Sequence, residues 1–139
     1  GDDCLGILAT SDIIKGEKLV VSKDKDLKTI PCQLYTITGQ GEYLDIDEHK
    51  ADYWHMHQTL TGDVSDNYKG CPKIGEKTAS KVLDGLKTKE EMWEAVVAQY
   101  EKQNLSAQDA LLQARLARIC RASDYNFERQ RPILWHPNI

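Results

Sequence analysis

The sequence predicts an α/β chain with a strand-bearing opening third and a mostly helical remainder. Three observations carry this. Residues 18–22, 32–37 and 42–46 are short apolar runs, and the latter two flank a Gly39-Gln40-Gly41 turn, the pattern of strands. From Asp47 onward the apolar residues recur at helical spacing. The charge also reverses: residues 1–66 hold 13 acids and 6 bases, net −7, and residues 67–139 hold 9 acids and 12 bases, net +3.

Taken in order, residues 2–14 place Leu5, Leu8, Ile13 and Ile14 at near-helical intervals, with Asp2 and Asp3 in the first turn where the helix dipole favours them. Gly16 is expected to end that helix. Residues 18–22 form a short buried strand that runs into Asp24-Lys25-Asp26-Leu27, and a hairpin follows at 32–46. A helix is predicted over 51–60, ending near Gly62. The stretch 63–75 is punctuated by glycine and proline and reads as turns. Further helices are predicted over 75–83, from the Thr88/Glu91 pair to about 100, and from the Ser106/Asp109 pair to about 122. The tail after Asp124 is expected to be irregular.

At 139 residues the chain has the length of one domain, and 40% apolar with 29% charged residues excludes wholesale disorder. No apolar stretch approaches the ~18 residues a membrane span requires. Cys4, Cys32, Cys71 and Cys120 form no Cys-x-x-Cys pair and read as four reduced thiols. His55 and His57 lie two apart, off a common helical face, so a zinc site is not expected.

Three acidic pairs stand at element boundaries: Asp2 with Asp3, Asp24 with Asp26, and Asp63 with Asp66. Gathered carboxylates repel unless a cation neutralises them, and hard divalent ions such as magnesium take such oxygens. Asp24 and Asp26 follow a strand, a favoured place for α/β active sites, but Asp-x-Asp is common and by itself reads more readily as a solvated turn. An EF-hand is excluded, because the sixth position from Asp24 is Thr29 and the twelfth is Tyr35. Asp63 and Asp66 also suit a helix cap. The run Gly-Cys-Pro-Lys-Ile-Gly-Glu-Lys-Thr-Ala at 70–79 is a glycine-bounded turn feeding a helix, and residues 69–81 hold four Lys against one Glu. Turn amides, a helix N-terminus and these lysines together point to phosphate binding. Arg115, Arg118, Arg121, Arg129 and Arg131 form a second basic cluster, read as a solvated face.

In one order the chain carries Asp2-Asp3 heading a helix, Val21-Ser22-Lys23-Asp24-Lys25-Asp26-Leu27, Thr61-Gly62-Asp63-Val64-Ser65-Asp66-Asn67, and Gly70-x-Pro72-Lys73-Ile74-Gly75-x-Lys77-Thr78-Ala79. This resembles the 5′–3′ exonuclease and flap endonuclease superfamily, and Tyr53-Trp54 with Gln58-Thr59 suggests its bacteriophage exonucleases. The resemblance covers residues 1 to about 85 and corresponds to the C-terminal portion of such a protein. It implies a partial PIN-like parallel-sheet core at 1–46 and a helical DNA-binding region at 47–139, with a helix–three-turn–helix at about 63–85.

The resemblance further implies a metal-dependent 5′ nuclease acting in phage DNA replication, with Asp2, Asp3, Asp24, Asp26, Asp63 and Asp66 as catalytic carboxylates. Asp2 resembles a ligand of a first Mg2+ or Mn2+ ion, and Asp24, Asp26, Asp63 and Asp66 the ligands of a second. Gly70, Lys73, Gly75, Lys77, Thr78 and Lys81 resemble the part that grips DNA through its backbone, with K+ on loop carbonyls. The expected partner is duplex DNA with a 5′ end, nick or flap, in the cytoplasm of a bacterium or phage-infected host, with no membrane. Two departures stand out. Lys73 replaces the family's usual Gly, and a Glu ligand falls before Gly1, leaving the first metal site incomplete without an N-terminal fragment or partner chain. The alternative is a non-catalytic duplex-binding module.

Overall fold

The computed structural model describes residues 1–37 and 39–137, and they form two compact units. The first unit takes in Gly1–Ala51 and Ile119–Leu134; the second takes in Asp52–Arg118 and the residues from Trp135 on. Positions 138 and 139, the end of the expected helical region, lie outside the described residues.

In the first unit, helix α1 (Asp2–Thr10) precedes strand β1 (Leu19–Ser22), a 3-10 turn (Lys25–Thr29), β2 (Cys32–Thr36) and β3 (Glu42–Ile46). The sheet order is β1-β2-β3. β1 runs parallel to β2, pairing Val20 with Leu34, and β3 returns antiparallel, as the short glycine turn at 39–41 requires. Alternation along the strands buries Val20 and Leu34 and leaves Leu19 and Val21 exposed. Val20, Leu34 and Ile46 pack with Leu27 and Ile30 from the connection, and with Ala51 and Ile119. Each large aliphatic buried this way contributes roughly 1.5–3 kcal/mol.

α1 stops at Thr10, short of the expected residue 14. Ser11 leaves the helical region with ψ 172°, its hydroxyl accepts from Ile13 N–H, and Ile13 and Ile14 are exposed. The apolar pattern there was therefore not a buried helical face. Residues 119–134, expected within the helical region, return to the first unit. The return is tightly made: a Cβ on Gly6 would lie 2.0 Å from the Cys120 carbonyl oxygen, so only glycine lets α1 approach that segment. Cys120 N–H donates to Asp3 Oδ1 (2.9 Å), Ala122 N–H to Thr10 Oγ1 (2.7 Å), and Arg121 Nη2 to the Thr29 carbonyl (2.9 Å). A 3-10 turn (Ala122–Asp124) then leads into a hairpin of β4 (Tyr125–Asn126) and β5 (Arg131–Pro132), in the tail expected to be irregular.

Helix α2 (Glu48–Thr61) runs from the first unit into the second, which adds α3 (Glu76–Leu83), α4 (Lys89–Lys102) and α5 (Ala107–Ala117). Their core is Met56, Leu60, Cys71, Ala79, Leu83, Met92, Val96, Tyr100 and Ala110. Buried Ala110, Ala114 and Ala117 share one face of α5, where small side chains allow close approach. His55 Nε2 meets the Ala114 carbonyl at 2.8 Å, which makes Nε2 the protonated nitrogen. Ser106 and Asp109 form the reciprocal capping box expected of them. Thr88 accepts from Glu91 N–H, while the Glu91 carboxylate reaches Lys87 N–H instead. α5 ends at Ala117 and not near 122, because the next residues are drawn to the first unit by the Cys120 and Arg121 bonds. No described helix is long and apolar enough to cross a membrane.

Candidate functional site

In the first unit, Asp24 sits at the end of β1 as the cap of the 3-10 turn. Its Oδ1 accepts from Asp26 N–H (2.9 Å), and Ser22 Oγ accepts from Asp24 N–H (3.0 Å). Asp26 is 7% exposed, and its carbonyl accepts from Thr29 Oγ1 (2.8 Å). Asp24 and Asp26 thus lie in one ordered turn whose geometry is set by side-chain capping. Asp2 and Asp3 head α1 and are exposed. The Cys120 bond gives Asp3 a structural task that the sequence did not reveal.

In the second unit, Asp63 and Asp66 share one closed loop. Asp63 and Tyr68 form an isolated antiparallel bridge, Asp63 N–H to Tyr68 O at 2.9 Å and Tyr68 N–H to Asp63 O at 3.1 Å. Within it, Asp63 Oδ1 accepts from Ser65 N–H (2.9 Å), Ser65 Oγ and Asp66 N–H (3.3 Å), an Asx-type turn. Asn67, in the left-handed region at φ 64°, turns the chain back. Below the bridge, Gly62 and Gly70 also have positive φ, and Cys71 N–H donates to the Leu60 carbonyl at 2.8 Å. Gly70 N–H is held by Gln113 Oε1 at 2.8 Å. Sequence reasoning missed Gln113, and a support 43 residues away leaves no local signal.

The chain passes directly from this loop into the turn at 71–74. Pro72 precedes Lys73 at φ 66°, and Ile74 N–H reaches back to Cys71 O (3.4 Å), the pattern of a type II turn with Pro at its second and a left-handed residue at its third position. Glycine is the ordinary occupant of that third position. Here a lysine takes it. Gly75 then caps α3 without a side-chain hydrogen bond, and Lys73, Gly75, Lys77, Thr78 and Lys81 are all exposed. α3 is held from behind: His57 Nε2 lies 3.3 Å from the Glu76 carbonyl and 3.4 Å from Ser80 Oγ, and Tyr53 O–H donates to Asp84 (2.9 Å). An open helix N-terminus with unpaired amides and lysines on the next turns suits an anion.

The second basic cluster divides. Arg121 is buried on Thr29, and Arg115 Nε donates to the Trp135 carbonyl (3.0 Å), whereas Arg129 and Arg131 are exposed. The first two serve packing and not a solvated face.

Residues 49–137 match the sequence profile described as 5′-3′ exonuclease, C-terminal SAM fold. The chain belongs to this 5′-3′ exonuclease family. The matched residues take in the helical second unit and also residues 49–51 and 119–134 of the first, and leave out residues 1–48. The chain is similar to the exonuclease of Escherichia phage T7, 30% identical over 99% of this chain and 55% of the relative. It is 29% identical to the exodeoxyribonuclease of Enterobacteria phage T3 over the same shares, 99% and 55%. It also resembles the 5′-3′ exonuclease of Halalkalibacterium halodurans (strain ATCC BAA-125 / DSM 18197 / FERM 7344 / JCM 9153 / C-125), 29% identical over 68% of this chain and 35% of that protein. The chain thus spans about half the length of the phage relatives it matches and corresponds to the C-terminal portion of a family member.

Proposed function

We propose that this chain is the metal-holding and duplex-holding portion of a nuclease that hydrolyses DNA phosphodiesters from a 5′ end, nick or flap, in phage DNA replication. The observation that carries the reading lies within the second unit. The Asp63/Asp66 loop passes without interruption into the 71–74 turn and the start of α3, which has no side-chain cap, so carboxylates, exposed lysines and a helix N-terminus follow one another on consecutive turns.

Asp24, Asp26, Asp63 and Asp66 are the proposed ligands of one divalent ion, and Asp2, beside Asp3, of another. The fit rests on donor chemistry: every proposed ligand is a hard carboxylate oxygen, and the capping bonds of Asp24 and Asp63 fix both loops. Bound Mg2+ or Mn2+ supplies a water of lowered pKa and neutralises charge on the reacting phosphate. The protein's own part is positioning. Gly75 and Thr78 offer a backbone group and a hydroxyl to DNA phosphates, Lys73, Lys77 and Lys81 add charge, and loop carbonyls suit K+. Gly70, buried with its N–H on Gln113, shapes the loop and does not itself meet a phosphate. Such contacts carry no sequence information, as a nuclease of general substrates requires. In this reading residues 1–46 are the end of a PIN-like core, and 63–85 a helix–three-turn–helix within the region 47–139.

The second reading, a duplex-binding portion that is silent without the rest of the protein, is favoured by the 55% coverage of the phage relatives. A 5′-labelled nicked duplex incubated with the chain, alone and with the N-terminal portion of a phage relative, tests both. Mg2+-dependent release of 5′ products by the chain alone supports catalysis by this chain. Release only in the mixture supports the second reading, and no release in either sinks the nuclease proposal.

A further inference from the structure

We propose that the β4–β5 hairpin is a binding site for single-stranded DNA. It uses none of the residues of the acidic loops or of the 70–81 turn and helix, and the choice of DNA rests on the nuclease reading.

Residues 127–134 are exposed without interruption, so the hairpin tip is a projecting surface. Phe127 is 49% exposed, unusual for the chain's one phenylalanine, and Leu134 is 68% exposed. The tip is nevertheless ordered. Asn126 pairs with Arg131 across the strands, Asn126 Oδ1 accepts from Arg129 N–H (3.0 Å), and Gln130 closes the loop at φ 54°. At its base Ile133 N–H donates to the Asp124 carbonyl (2.7 Å). The Phe127 ring, in the turn that follows β4, meets the Tyr125 ring edge to face, centroids 5.1 Å apart and planes inclined at 77°.

An exposed aromatic ring on a hairpin tip that also carries two exposed arginines matches the chemistry of a nucleic-acid single strand. Unpaired bases stack on aromatic faces whatever their identity, and arginines meet the phosphates between them. Duplex DNA buries its base faces and has nothing to offer Phe127. The charge agrees: Arg129 and Arg131 outweigh Glu128 along the tip. A packing role explains neither the exposure of Phe127 nor the two arginines, since the hairpin's bonds run through the backbone and Asn126.

Binding of a fluorescein-labelled thymidine oligonucleotide, and separately of a blunt duplex, to the whole chain by anisotropy is the test. Phe127→Ala is expected to weaken single-strand binding about tenfold while Phe127→Trp preserves it, and neither changes duplex binding. Arg129→Ala with Arg131→Ala is expected to lower the single-strand salt slope by about 1.4. Far-UV circular dichroism establishes that the variants keep their fold. Unchanged oligonucleotide affinity in Phe127→Ala, or an equal loss on duplex, overturns the proposal. Duplex binding that remains sensitive to Lys77→Ala in that outcome leaves the nuclease reading standing. If the chain binds neither oligonucleotide nor duplex, both readings fail together.

Discussion

Gly62 and Gly70 face each other so closely at the neck of the acidic loop that neither has room for a side chain. A Cβ on Gly62 would lie 2.6 Å from Gly70 N, and one on Gly70 would lie 2.3 Å from Gly62 N. Both residues also have positive φ, at 70° and 68°. Backbone conformation and close approach therefore demand glycine independently. Asp63 and Asp66 hang from this neck, so its closure positions both carboxylates.

Gly70→Ala is accordingly expected to destabilise the protein by at least about 2 kcal/mol, since left-handed strain adds to backbone overlap. Gln113→Ala, which strips the acceptor from buried Gly70 N–H, is expected to cost about 1–2 kcal/mol. Urea unfolding followed by circular dichroism measures both. A Gly70→Ala midpoint equal to wild type would contradict the closed neck.

Lys73 allows charge and backbone conformation to be separated. At φ 66° it occupies a position where glycine is unstrained and a β-branched residue is not. Lys73→Gly is expected to leave stability within about 1 kcal/mol of wild type, relief of strain offsetting the added freedom of the unfolded chain. Lys73→Val is expected to destabilise by about 1–2 kcal/mol. Both remove a cation, so each is expected to lower the duplex salt slope by about 0.9. Equal stability of the two variants would remove the conformational argument.

Alkaline pH probes the buried acids. Burial pushes the Cys32 thiol from 9.0 up to about 11, and burial, aided by Cys71 and Asp109, pushes the Tyr100 phenol up from 10.0. Tyr100 O–H also donates to the Thr59 carbonyl at 2.6 Å, a bond only the neutral phenol makes. The folded state holds these protons more tightly than the unfolded chain. Their stabilisation is complete below the ordinary pKa values and is lost as pH climbs through the raised ones. The urea midpoint is expected to fall from about pH 9 upward, less steeply in Tyr100→Phe. A midpoint independent of pH from 8 to 11 would contradict it.

Much of this was legible because local chemistry and tertiary structure agree. Ser106 and Asp109 cap α5 from three residues apart, and glycines bracket the β2–β3 hairpin, so short windows of sequence sufficed. Where distant contacts decide, the sequence was silent. α5 ends at Ala117 because Cys120 is bonded to Asp3 and Arg121 to Thr29, partners 117 and 92 positions away. Arg121 read as surface charge for the same reason. The acidic pairs were visible as pairs, and Asp24 as a residue at a strand end. That Asp63 carries three loop bonds on one oxygen, and that Gln113 props Gly70, follows only from the folded chain.

The most direct test of the account uses Asp24→Asn. Asparagine keeps an oxygen to accept from Asp26 N–H, so the turn survives while the charge a divalent ion needs is removed. Cleavage of a 5′-labelled nicked duplex in Mg2+ is measured beside duplex affinity, with the N-terminal portion of a phage relative supplied to both proteins. The account predicts cleavage reduced at least about a hundredfold with affinity unchanged within about twofold. Equal cleavage by Asp24→Asn and wild type would contradict it.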